Sequence, residues 1–99
     1  MIYVIARMEL NDGCKDAMLA VLEKTVPLVL SEDGCIMYTP CLDTDEPDQD
    51  RYLTIVEAWK SRDHLNAHLA APHMAEFREA ARPLRRPSTV HIITPAELS

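Results

Sequence analysis

The sequence predicts an α+β fold of the ferredoxin-like order β-α-β-β-α-β, and three observations carry that prediction. Four short stretches read as strands. One long stretch after the first, and one broken stretch after the third, read as helices. Turn-forming residues punctuate the joins. Together these elements make a four-stranded antiparallel sheet with its helices on one face. The strands are apolar on both faces, so the helix-free face needs cover too. A second copy of the chain is the simplest cover, and a homodimer is expected.

Ile2 to Leu10 alternates, with Ile2, Val4, Ala6, Met8 and Leu10 on one face and Tyr3, Ile5, Arg7 and Glu9 on the other. Asn11-Asp12-Gly13 turns the chain. Lys15 to Leu30 has a helical period that places Met18, Leu19, Leu22, Val26, Val29 and Leu30 on the buried side. Pro27 should kink this helix or loosen its last turn, and Gly34 is its stop. Cys35 to Leu42 is the second strand, with Ile36 and Tyr38 on one face. Pro40 cannot donate to a ladder, which places this strand at a sheet edge. An acidic hairpin loop, about 43–51, leads to the third strand, Tyr52 to Trp59. Ser61 caps a helix from Arg62 to Leu69, and Pro72 opens another that runs to Ala81. Pro83 and Pro87 bracket a linker to the last strand, Thr89 to Thr94, which Pro95 ends.

Ninety-nine residues make one domain, 1–99, with a modest core. The chain has no transmembrane-length apolar run, and Arg7 interrupts its apolar start. A soluble cytoplasmic protein without a membrane partner is therefore expected. Cys14, Cys35 and Cys41 form no C-x-x-C, and their odd number reads as reduced thiols. The net charge of −6 is uneven, because Asp43, Asp45, Glu46, Asp48 and Asp50 crowd one loop. Pro47 occupies a ligand position there and the turn glycine is missing, so the loop is not a calcium site. The acidic balance argues against nucleic-acid binding. The Arg78, Arg82, Arg85, Arg86 cluster is local and lacks interleaved aromatics.

Chemistry concentrates between Leu53 and Met74, which holds the only Trp and three of the four His. Glu57 breaks an apolar strand face beside Trp59. It must pair, protonate or meet water, so it reads either as a salt-bridged rim residue or as a pocket carboxyl. His64 and His68 share a helix face at i, i+4, but no third ligand is evident and the metal signal is weak. His64 reads as a solvated first-turn residue. His68, nearer the apolar stripe with Leu65 and Leu69, reads as a hydrogen-bonded core histidine or a pocket acid/base. His73 follows Pro72 at a helix N-terminus, which disfavours an imidazolium and suits an acceptor or base. A surface position in a tight turn is the alternative.

Three segments, MIYVIARMEL, VPLVLSEDGCIMYTP and IVEAWKSRDHLNAHLAAPHM, carry a family resemblance. Gly34-Cys35 with Tyr38, Glu57-x-Trp59 and His68-Leu69-x-x-Pro72-His73-Met74 occur in the order and spacing of the antibiotic biosynthesis monooxygenases. The chain most resembles the bacterial quinol monooxygenases of that family. The resemblance implies a dimeric α+β barrel. It implies oxidation of a quinol or polyphenol, a small aromatic substrate, by O₂ with no metal or flavin cofactor. It also implies site roles. His68 is the first choice as base or hydrogen-bond partner and His73 the second, with Glu57 orienting a histidine, Trp59 walling the ring and Tyr38 orienting a substrate oxygen. Haem-degrading relatives carry an Asn-Trp-His set that falls near Ala6, His68 and Arg78 here; all three differ, which argues against haem. Relatives that process a phosphorylated autoinducer share the His-x-x-x-Pro-His spacing, so an isomerase remains an alternative. A non-catalytic dimeric small-molecule-binding module is another. Ala71 stands where the family often has Ser or Thr, which removes a capping side chain beside His73.

Overall fold

The computed structural model describes residues 1–48 and 50–98; Gln49, inside the acidic loop, and Ser99 lie outside them. The elements are β1 (Ile2–Glu9), α1 (Lys15–Leu30), β2 (Cys35–Cys41), β3 (Tyr52–Trp59), α2 (Arg62–Leu69), α3 (Pro72–Ala81), a 3₁₀ turn (Arg82–Leu84) and β4 (Thr89–Ile93). The strands form one sheet in the order β2-β3-β1-β4, with every neighbouring pair antiparallel. β2 lies at an edge, the position in a sheet where a proline is tolerated. This is the ferredoxin-like α+β architecture that the element order predicts. Among the described residues no helix is long and apolar enough to cross a membrane.

Register decides what lies under the helices. Tyr38, Glu57, Val4 and Ile92 form one row across all four strands, and Pro40, Ile55, Ala6 and Val90 form the next. The core packs on this face, with Met18, Leu22 and Val29 of α1, Leu65 of α2, and Met74, Phe77 and Ala81 of α3. The opposite face presents Ile5, Val56, Ala58 and Met37 beside His91 and Ile93 of β4. β4 is exposed along its whole length.

Some positions differ from the periodicity. Leu19 and Leu30 of α1 are exposed at 36% and 51%, while Thr25 is buried. A helix covers only one stripe of its circumference, and here that stripe runs Met18, Leu22, Thr25, Val29. The Thr25 hydroxyl is satisfied by donating to the Val21 carbonyl at 2.9 Å. α1 continues through Pro27 to Leu30. Ile36 and Tyr38 do not share an environment. A β-bulge between Cys35 and Met37 leaves Ile36 half-exposed at 48% and turns Tyr38 inward. Bulges re-aim side chains in this way, often beside sites.

Gly34 has two reasons to be glycine. Its φ is +80°, a conformation that L side chains adopt at a cost. A Cβ there would also lie 2.2 Å from Cγ of His64. Gly34→Ala should therefore destabilise the protein by about 2 kcal/mol or more. Thermal unfolding would show Tm lower by roughly 10 °C. An unchanged Tm would mean that the turn relaxes freely.

Candidate active site

The α1–β2 turn carries Glu32, β2 carries Tyr38, and β3 carries Glu57 and Trp59. His68 comes from the last turn of α2, and His73 from the first turn of α3. His68 is the centre, 1% exposed. Its Nδ1 lies 2.8 Å from Oε2 of Glu32, and Nε2 of His73 lies 2.9 Å from the same oxygen. A carboxylate only accepts, so both imidazoles donate to Glu32. That fixes the His68 tautomer: Nδ1 carries the proton, and Nε2 of the neutral ring keeps its lone pair. Nε2 faces Glu57, 3.9 Å from Oε1.

Trp59 is fully buried behind this pair. Its ring lies 4.5 Å from that of His68, tilted by 34°, and its indole N–H donates to Oε1 of Glu57 at 3.0 Å. Tyr38 meets His68 edge-on at 5.7 Å. In front of these residues, between sheet and helices, is a cavity of about 180 Å³. Tyr38, Glu57 and His68 sit on its polar side, with Val4, Ile55 and Phe77 among its apolar walls. Its size suits a small ligand, since sites for drug-sized molecules span roughly 300–1,000 Å³. Larger surface hollows exist, but the one of about 390 Å³ beside the acidic loop is lined by exposed charge and holds none of these residues.

The sequence expectations and the geometry part at several points. Trp59 does not line the cavity; it backs His68 and Glu57 from the core. His73 does not line it either. It opens onto a separate groove between α1 and α3, and it acts as a donor to Glu32, not as an acceptor. Its placement needs no cap at Ala71, because Glu32 holds the ring. Glu57 has no Lys or Arg partner among the described residues, so it is not an ordinary salt bridge. His64 is a first-turn residue that stays 31% exposed, but it is not free in solvent. Ser61 accepts from its backbone N–H, its ring contacts Ser61 Oγ at 2.7 Å and Asp33 at 3.3 Å, and it pins the turn that carries Glu32. Leu69, placed in the buried stripe from the sequence, is 44% exposed at the cavity rim. The residue that sequence reasoning missed is Glu32. Its one signal was a carboxylate two residues before the helix-stop glycine.

Electrostatics divide the two central groups. Burial pushes the Glu57 carboxyl up to about 7; the Trp59 N–H opposes this, and the charge of Glu32 adds to it. Burial pushes His68 below the ordinary imidazole value, against the opposing pull of Glu32. Near neutral pH the site therefore holds a neutral imidazole beside a carboxyl poised at its titration midpoint. Tyr38 is raised by burial, so its hydroxyl stays protonated and can donate. Burial likewise raises the Cys35 thiol, which makes it a poor nucleophile. The donor atoms of Glu32, His68 and His73 lie within 4.8 Å of one another, a set that could take a transition metal in place of the two hydrogen bonds.

The Glu57 shift has a sign for stability. Its folded value lies above its unfolded one, so its stabilising contribution is complete below about 4.5 and is lost as pH rises through about 7. Glu57→Gln keeps an oxygen for the indole N–H and carries no charge. Relative to the parent, this variant should gain about 2–3 kcal/mol between pH 5 and pH 8. Urea melts at the two pH values test this. A stability difference independent of pH would show that Glu57 titrates normally.

Residues 1–80 match the family described as antibiotic biosynthesis monooxygenase. The chain belongs to the antibiotic biosynthesis monooxygenase family. It is 36% identical over 92 residues to "Probable quinol monooxygenase YgiN" of Escherichia coli, covering 83% of this chain and 86% of that one. Rv0793 of Mycobacterium tuberculosis is 30% identical over 95 residues, covering 95% and 90%. The Rv0793 structure superposes with a TM-score of 0.85 over 99% of this chain and 97% of that one, at 27% identity. SnoaB, a cofactor-independent oxygenase from Streptomyces nogalater, has the same fold: TM-score 0.83, 98% and 94% coverage, 18% identity. The relatives are named as monooxygenases, and this family member is a monooxygenase by the same homology.

Proposed function

We propose that this family member oxidises a quinol or polyphenol with O₂, its chemistry needing neither metal nor flavin. The observation that carries the reading is His68, a buried imidazole whose Nδ1–H is held by Glu32 and whose Nε2 is aimed at the Glu57 side of a small cavity. A quinol hydroxyl placed there loses its proton to Nε2. The resulting anion is electron-rich enough to reduce O₂ itself. Recombination at the ring and loss of water complete the balance: quinol plus O₂ gives a hydroxyquinone plus water. Glu57, near half-protonated at neutral pH, supplies a proton to the departing oxygen. Tyr38 donates to a substrate oxygen, Trp59 holds Glu57 in place, and His73 holds Glu32. The apolar walls Val4, Ile55 and Phe77 shield the bound anion on one side from bulk water.

Two further features fit this reading. The helix-free sheet face, with Ile5, Val56, Met37 and Ile93, suits a second copy of the chain, and light scattering should give the mass of a homodimer. The three unpaired cysteines suit the reducing cytoplasm. The enzymatic test is oxygen uptake with chemically reduced naphthoquinol, using protein stripped of metal and flavin. Uptake should exceed the protein-free autoxidation blank and saturate in quinol. Uptake equal to the blank would remove this substrate class.

A further inference from the structure

Of the seven arginines, five meet an acidic or amide side chain: Arg7 with Asp43, Arg51 and Arg86 with Glu9, Arg62 with Asn66, and Arg82 with Glu79. Arg78 and Arg85 do not. Among the described residues their guanidinium groups meet only backbone carbonyls, Arg78 that of Leu69 at 2.5 Å and Arg85 that of Arg86 at 3.3 Å. In a chain of net charge −6, two arginines without acidic partners stand out. Both line the rim of the His68 cavity, together with the hydroxyl-bearing Ser88.

Both are also held in place. The Leu69 carbonyl is one of the unpaired acceptors at the C-terminus of α2, and it ties the Arg78 guanidinium to the cavity rim. The backbone of Arg85 bridges to Leu10 beside the sheet. Among the described residues Glu57, beside His68, is the only acidic one lining the cavity. Arg78 is close enough to contribute to the field at His68. The rim is thus cationic, the walls are apolar, and the base lies within.

We propose that Arg78, Arg85 and Ser88 form an anion subsite, and that the ligand of this cavity is an aromatic ring bearing a carboxylate. The planar guanidinium fork matches a carboxylate with two parallel N–H···O bonds, and neither arginine gives up an existing ion pair to make them. The ring then packs against Val4, Ile55 and Phe77, with its reacting hydroxyl toward His68. This deepens the quinol reading and rests on it only for turnover; the binding claim stands alone.

The test separates the two. Binding of 1-hydroxy-2-naphthoate and of neutral 1-naphthol is measured by titration calorimetry in the parent, Arg78→Gln, Arg85→Gln, the double variant and Arg82→Gln. Oxygen uptake is measured with 1,4-dihydroxy-2-naphthoate against 1,4-naphthalenediol. The carboxylate should bind roughly 10–100-fold more tightly than the naphthol, the range of one charge-assisted contact. The preference should fall to within about twofold in the double variant and weaken with added salt. It should survive in Arg82→Gln, whose side chain is exposed, pairs with Glu79 and does not line the cavity. Circular dichroism melts confirm folding, and Arg78→Lys should recover part of the preference. Equal affinity for the two ligands, no binding of either, or a preference that persists in the double variant overturns the subsite. Selective binding with no oxygen uptake leaves the subsite standing and removes the quinol reading. Equal turnover of both quinols without selective binding does the reverse.

Discussion

Replacing His68 with Ala should lower quinol-dependent oxygen uptake by roughly 10²–10⁴-fold, the range for losing a positioned general base. His68 is 1% exposed, its Nδ1 is committed to Glu32 at 2.8 Å, and Nε2 is left facing Glu57 and the cavity. Among the described residues no other imidazole lines that cavity. His73 cannot substitute, because its ring lies on the other side of Glu32 and opens onto a different groove. His68→Ala also vacates space beside Trp59 and Tyr38, so the melting temperature must be recorded alongside the rate. Added imidazole should restore part of the activity to a folded variant. A folded variant that retains near-parental uptake would show that the proton goes elsewhere, with Glu57 the next group to test.

Glu32→Gln should lower kcat by about 10²-fold or more while leaving the cavity walls intact, by analogy with other third groups that orient a catalytic histidine. One oxygen of Glu32 accepts from both His68 and His73, and an amide can serve the same geometry only with its single oxygen and without charge. The amide N–H₂ also permits the opposite His68 tautomer, with the proton on Nε2 and no base facing the cavity. The pH profile separates this role from a purely structural one. The Glu32 charge raises the His68 value against burial, so removing it lowers that value further. The base must be neutral to act, so the acidic limb of kcat/KM should move to lower pH. A lower rate with an unmoved acidic limb would assign Glu32 to folding alone.

Local patterns in this chain carried most of the fold. Alternation in Ile2–Glu9 and Tyr52–Trp59, the Pro40 edge signal, the Ser61 cap and Pro72 at a helix start are all short-range chemistry, and the structure contains each of them; Gly34 instead serves the turn into β2, because α1 already ends at Leu30 with Ser31 as its cap. The prominence of His68 and Glu57 was legible for the same reason: a carboxylate and an imidazole interrupting apolar stripes are visible without knowing what they face. Residue periodicity could not decide which stripe of α1 is buried, so Leu19 and Leu30 emerged and Thr25 went in. Nor could it reveal the bulge at Ile36, which inserts one residue and turns Tyr38 inward. Glu32 lies 36 residues before His68 and 41 before His73, and only folding α2 and α3 over the α1–β2 turn brings the three together. Trp59 moved from ring wall to backing, and Arg78 from a surface cluster to a cavity rim, for the same cause. The sequence by itself determined the elements and the chemical groups, because those depend on neighbours along the chain. The tertiary structure alone decided which groups share a proton, which face a cavity and which lack partners, because those depend on neighbours in space.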